Sequence, residues 1–235
     1  MNMGKMTING MARRIAGMTE DPDKSAALAE YLGIQPNGIM HTYGNVYKVI
    51  ASDDEYIVCK DETEADDMAY ESVKYVLDDC GYSVVNGFES FVNWSYFDDD
   101  RLAYWKSYCE DIANEPDDEF ANRLIFEAYD NGIIDDDAFE QDEDGLIIPD
   151  KCLVDEKEIV ERLAQHLFKL EDAKSFVIDM YGKDLKNLPA DAIDEDALIQ
   201  YVIDEDGRGP QLASYDGNEI EFEFEGEQYY IYRVN

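Results

Sequence analysis

The 235-residue chain predicts an α+β fold: several amphipathic helices with two small antiparallel β-hairpins, one near the N-terminus and one at the C-terminus. Three observations lead there. Apolar residues recur at helical spacing through most of the chain, with capping residues at the ends of the runs. Two short stretches rich in Val, Ile, Tyr and Phe each break at a polar turn. No run of about 18 apolar residues exists, so no transmembrane helix is expected.

Residues 1–18 hold five Met and three Gly with no clear period and are expected to form a flexible tail. "TEDPDKSAALAEYLG" predicts a helix from Pro22 or Asp23 to Leu32, closed by Gly33. Residues 46–51 and 56–59 read as strands joined by the polar turn 52–55. "DETEADDMAYESVKYVLDDCG" predicts a helix with Thr63 as cap and a buried stripe of Met68, Ser72, Val73, Val76 and Leu77. The middle is helical too. "DDDRLAYWKSYCEDIAN" lines up Leu102, Trp105, Tyr108, Cys109 and Ile112, and "DDEFANRLIFEAYDNG" lines up Phe120, Leu124, Ile125 and Ala128 before Gly132. Three further helices, "DEKEIVERLAQHLFKL", "SFVIDMYG" and "DEDALIQYVIDEDG", lead to the C-terminal hairpin. The expected organisation is a tail (1–18), a helix-hairpin-helix part (19–95), an acidic helical middle (96–188) and a helix plus hairpin (189–235).

The charge narrows the function. Fifty-six acidic residues face 19 basic ones, for a net charge of −37. Nucleic-acid and anionic-membrane binding both need a basic footprint, so both are excluded. The acids are uneven: residues 52–79 carry −9, 98–144 carry −15 and 189–235 carry −11, whereas residues 1–51 carry +1. A halophile's acidity normally comes with fewer large apolar side chains than the 17 Tyr and 10 Phe here. With no signal-peptide-like h-region the chain reads as intracellular, and its four cysteines (Cys59, Cys80, Cys109, Cys152) show no CxxC spacing. They read as packed thiols, without a zinc site.

Motifs for chemistry fail on inspection. "EQDEDGLIIPDK" places Asp142, Asp144 and Gly145 at EF-hand loop positions 3, 5 and 6, but Glu140 opens the loop and Lys151 stands where a bidentate Glu is needed. No GxSxG, P-loop or dinucleotide fingerprint is present. No nucleophile, base and orienter converge in the sequence, so neither enzyme activity nor a cofactor is expected. The C-terminal hairpin instead puts Glu219, Glu221, Glu223 and Glu225 on one face, about 6.7 Å apart, as a row of like charges. Arg208 and Arg233 are the only cations of residues 189–235, and at least one is expected to tie the hairpin to Asp204 or Asp206.

The stretches "ALAEYLGI" and "EYIVCKDETEAD", with "DGRGPQLASYDGNEIEF…YYIYRVN" at the end, resemble acidic, uncharacterised tailed-phage proteins. Pro210 stands where such proteins would carry His after "GRG". The resemblance covers about 70 residues at the two ends, and implies a phage origin and expression in the host cytoplasm without implying an activity. Small acidic phage proteins often resemble DNA mimics, whose carboxylates stand in for phosphates. At one charge per ~1.7 Å of duplex axis, 37 net charges match roughly 60 Å of B-DNA.

The first functional expectation is therefore an inhibitor of a host DNA- or RNA-binding protein, such as a defence nuclease, a CRISPR or restriction complex or a polymerase. The second is an acidic phage interaction or virion/assembly-associated protein without mimicry, and a homodimer is compatible with either. The expected partner-binding residues are Asp98, Asp99, Asp100, Asp135, Asp136, Asp137, Asp142, Glu143, Asp144, Glu219, Glu221, Glu223 and Glu225. Such self-repulsion predicts a melting temperature higher in about 0.5 M salt, or near pH 5, than at low salt and pH 8. A thermal melt by circular dichroism across that range checks it, and an unchanged Tm refutes it.

Overall fold

Most helices of this chain start the same way, because an acid-rich sequence has its preferred N-cap in abundance. The computed structural model describes residues 21–114, 123–141, 143 and 147–235; the expected tail, Phe120, Asp142, Asp144 and Gly145 lie outside them. Helix α1 (Pro22–Leu32) is capped by Asp21, and Gly33 closes it in the left-handed region. Helix α2 (Glu62–Cys80) begins at Asp61, whose side chain accepts from Glu64 N. The expected cap, Thr63, instead falls in the first turn, because Asp61 meets the free N–H groups two residues earlier. Helix α3 spans Asp98–Asn114 and α4 Arg123–Asp130. Asp155 caps α5 (Glu156–Leu170), Asp172 caps α6 (Ala173–Tyr181) and Asp194 caps α7 (Glu195–Asp206). A short helix α8 (Arg208–Leu212), absent from the sequence reading, follows at once.

The molecule is α+β, but the two expected hairpins are parts of one sheet. Strands β1 (Ile39–Tyr43), β2 (Val46–Val49), β3 (Glu55–Cys59), β6 (Glu219–Phe224) and β7 (Glu227–Arg233) form an antiparallel sheet in the order β1-β2-β3-β7-β6. β3 and β7 join the halves in register from Tyr56↔Arg233 to Cys59↔Tyr230. β4 (Phe139–Gln141) and β5 (Ile147–Cys152) make a separate two-stranded sheet that the sequence reading missed.

The chain divides into two compact units: Met1–Val92 with Asp184–Asn235, and Asn93–Lys183. In the first, side chains alternate across the five-stranded sheet into two cores. One holds Tyr47, Tyr56, Val58, Tyr229 and Ile231 with Ala27, Leu28 and Ala29 of α1. The other holds Val46, Ile57, Cys59 and Tyr232 with Ala65, Met68 and Ala69 of α2 and Leu212 beyond them. The central strands are buried on both sides, so "YIVC" and "YYIY" read as continuous apolar runs. In the second unit Cys109, Ile112, Leu124, Ala128, Ile159 and Leu163 pack α3, α4 and α5 together.

Gly209 fixes the approach of α8 to the start of β6. A Cβ there would lie 2.3 Å from the carbonyl oxygen of Gly217, backbone that cannot yield as a flexible side chain would. Gly209→Ala should therefore cost about 2 kcal/mol or more, read from the urea midpoint. Gly33→Ala, with open space around it, should cost only about 1 kcal/mol from its left-handed backbone. Equal costs for the two would refute the close-approach argument.

Candidate interaction surface

β6 carries the glutamate row, and the structure divides it. Ile220, Phe222 and Phe224 turn to the α1 side, where they pack against the first core. Glu219, Glu221 and Glu223 therefore face the α2 side, opposite Tyr232, Tyr230 and Gln228 of β7. Glu225 is not on the strand: with Gly226 it forms the turn to β7, its φ at 53°. The row of four is thus a strand row of three plus a turn residue.

Glu219 is engaged internally. Arg208 donates from Nε to Oε2 and from a terminal nitrogen to Oε1, both at 2.8 Å, a bidentate pair. The Tyr232 hydroxyl donates to the same carboxylate at 2.6 Å. The other terminal nitrogen of Arg208 reaches Asp66 of α2 at 3.0 Å, and the guanidinium lies 4.7 Å over the Tyr230 ring. Burial works against the charge of Arg208, but Glu219, Tyr232 and Asp66 hold its pKa above the ordinary value. Burial, then Glu219, likewise raises that of Tyr232. Arg208 is thus structural, as the sequence suggests, but its partners are Glu219 and Asp66, not Asp204 or Asp206. Arg208 opens α8, whose close approach at Gly209 to the segment before β6 sets it beside Glu219.

An open groove of about 630 Å³ adjoins this pair, lined by Asp66, Asp67, Tyr70, Asp204, Arg208 and Glu219. Arg233 makes a lesser tie at the far end of β7. It donates to Asp54 at 2.9 Å and lies 3.9 Å over Tyr215. Hydrogen bonds from Ser52 and Arg233 hold the Asp54 carboxyl below its ordinary range.

The remaining predicted acids belong to the second unit. Asp98, Asp99 and Asp100 fill the first turn of α3, where the helix dipole favours them. Asp98 pairs with Arg101 at 3.0 Å; Asp99 and Asp100 are exposed. Asp135, Asp136 and Asp137 form an exposed turn in which Asp135 accepts from Asp137 N and Asp136 accepts from the Tyr129 hydroxyl at 2.8 Å. Glu143 is exposed. Among the described residues, no cation pairs with Asp99, Asp100, Asp135, Asp136, Asp137, Glu143, Glu221, Glu223 or Glu225.

Arg101 is the residue that sequence reading missed in this unit. It is buried and donates to the carbonyl oxygens of Phe168 and Glu171 at 3.1 and 2.9 Å, with its guanidinium 4.5 Å over the Phe168 ring. Its position in the helical stripe between Phe97 and Trp105 was the available signal. For chemistry, no group of three or more His, Cys, Asp or Glu among the described residues could hold a metal ion. Burial raises the Cys59 thiol and pushes Cys109 up to about 11, which suppresses the reactive thiolate.

Comparison with protein-family models, with curated proteins and with solved structures finds no match. No described helix is long and apolar enough to cross a membrane.

The two arginines should separate cleanly by mutation. Arg208→Ala leaves Glu219 half-buried beside Tyr232 and should cost about 2–3 kcal/mol in chemical denaturation. Arg233→Ala removes a more exposed pair and should cost under about 1 kcal/mol. If both variants unfold like the parent, the bidentate tie contributes nothing to stability.

Proposed function

We propose that this chain is a phage-encoded acidic inhibitor that binds a host nucleic-acid-processing or defence protein by presenting carboxylates in place of phosphates. One observation carries the reading: exposed carboxylates without a described cation partner stand in both units, at Asp99, Asp100, Asp135 to Asp137, Glu143, Glu221, Glu223 and Glu225. Helix ends add support. Asp79, Glu205 and Asp206 stand in C-terminal turns, where the dipole opposes negative charge. Of the described helices, only α5 has a basic residue, Lys169, in its last turn. Acids kept where they oppose folding are better explained by an outside partner than by stability. The phage resemblance at the two chain ends supports a partner in the host cytoplasm.

The structure also sharpens the variants that test this. Glu219 holds Arg208 and is left intact. One variant changes Asp135, Asp136, Asp137, Asp142, Glu143 and Asp144 to Asn or Gln; a second changes Glu221, Glu223 and Glu225 to Gln. Against a DNA-binding protein recovered from host lysate, each should bind about tenfold or more weakly at low salt, with a flatter salt dependence. Duplex DNA should compete with the parent. Unchanged affinity in both variants, simultaneous binding of DNA and this protein, or recovery of phage structural proteins alone would overturn the mimicry reading and favour the assembly role.

A further inference from the structure

The five-stranded sheet has two edges, and they are built differently. β1 is interrupted: its register with β2 shifts between His41 and Tyr43. The Thr42 hydroxyl also folds back onto the Val46 carbonyl oxygen at 2.8 Å. β6 has none of these devices. It pairs with β7 in unbroken register from Glu219↔Tyr232 to Phe224↔Glu227, without proline or bulge. Among the described residues, none hydrogen-bonds to the outer side of its backbone. A regular six-residue edge of this kind is a template for another strand.

The side chains on that edge select what can be added. Ile220, Phe222 and Phe224 are partly buried on the α1 side and anchor the strand. On the other side Glu221 and Glu223 are exposed and unpaired, two residues apart. A second copy added edge to edge would oppose these carboxylates with its own, and directly opposed like charges destabilise a strand pair. A chain of net charge −37 adds general repulsion. A strand with Lys or Arg at every second position would instead set its cations about 5 Å, Cβ to Cβ, from Glu221 and Glu223. It would gain main-chain hydrogen bonds as well.

We propose that the outer edge of β6 is a strand-addition site for an extended, alternately basic segment of a partner protein. The partner shares its positive charge with the one proposed above, but the site does not require it to bind DNA.

The probe is a fluorescein-labelled ten-residue peptide alternating Lys with Val or Thr, titrated against the whole protein by anisotropy at low salt. A second peptide carries the same side chains but is N-methylated at alternate backbone nitrogens, which removes one edge of hydrogen bonds and keeps every charge. Backbone pairing predicts that N-methylation weakens binding at least about tenfold. E221Q/E223Q should weaken the parent peptide by roughly tenfold. Thermal melts establish that this variant is folded, and amide hydrogen exchange should show new protection in β6 alone. Equal binding of the two peptides, protection elsewhere, no binding, or dimerisation through this edge would each overturn the proposal. Peptide binding without DNA competition in the preceding experiment would keep this site and remove mimicry, so the two readings fail separately.

Discussion

The fold depends on how few cations the chain has and where it spends them. A sequence with three times as many acids as bases cannot neutralise its surface, so its structural ion pairs are concentrated at a few ordering points. Lys24 is buried and bridges Asn45 and Glu64, at 2.9 and 2.5 Å, tying α1 to α2. Arg208 ties α8, α2 and β6, and Arg101 holds α3 to the end of α5. The two arginines also lie over the rings of Tyr230 and Phe168, and Arg101 donates to two backbone carbonyls as well. Such a cation can be buried because a carboxylate stands beside it: Glu64 for Lys24, Glu219 for Arg208, and Asp98 and Glu171 for Arg101; removing the partner would cost several kcal/mol. The exposed acids, by contrast, face water, where each mutual repulsion is small and screened.

The same scarcity explains the helix starts. An aspartate at the N-cap satisfies free N–H groups and places negative charge at the positive end of the dipole, so it offsets repulsion without a cation. Asp21, Asp61, Asp155, Asp172 and Asp194 all do this. Asp98, Asp99 and Asp100 gain from the dipole in the first turn of α3, and Asp135 accepts from Asp137 N in its own turn.

The longer helices were legible because they carry a 3.6-residue apolar stripe, most of them behind an aspartate cap, and α1 and α5 lie where their periods put them; α8, five residues long and uncapped, has neither signal. The sheet was read only in part. "IMHTY" is too polar to stand out as a strand, although the Gly44–Asn45 pair after it is a hairpin signal. The joining of β3 to β7 is a long-range pairing that local pattern cannot give. Yet both strands read as unbroken apolar runs, the mark of burial on two faces, whereas β6 alternates as a half-covered edge does. The acidic blocks were legible as charge but not as geometry. Glu219 and Glu221 look alike in sequence, and only the placement of α8 makes one a structural anchor and the other a free carboxylate.

The pairing of β3 with β7 also has a consequence in time. Cys59 must wait for Tyr230, about 170 residues later, before the sheet closes. At roughly 5–20 residues per second that is about 10–30 s on the ribosome. During that interval β3 is itself an open edge with the apolar run "YIVC" on it, and residues 93–183 are synthesised within it. The acids of 52–79 flank that edge during the wait. Like charges beside an open edge disfavour its pairing with a second copy of itself.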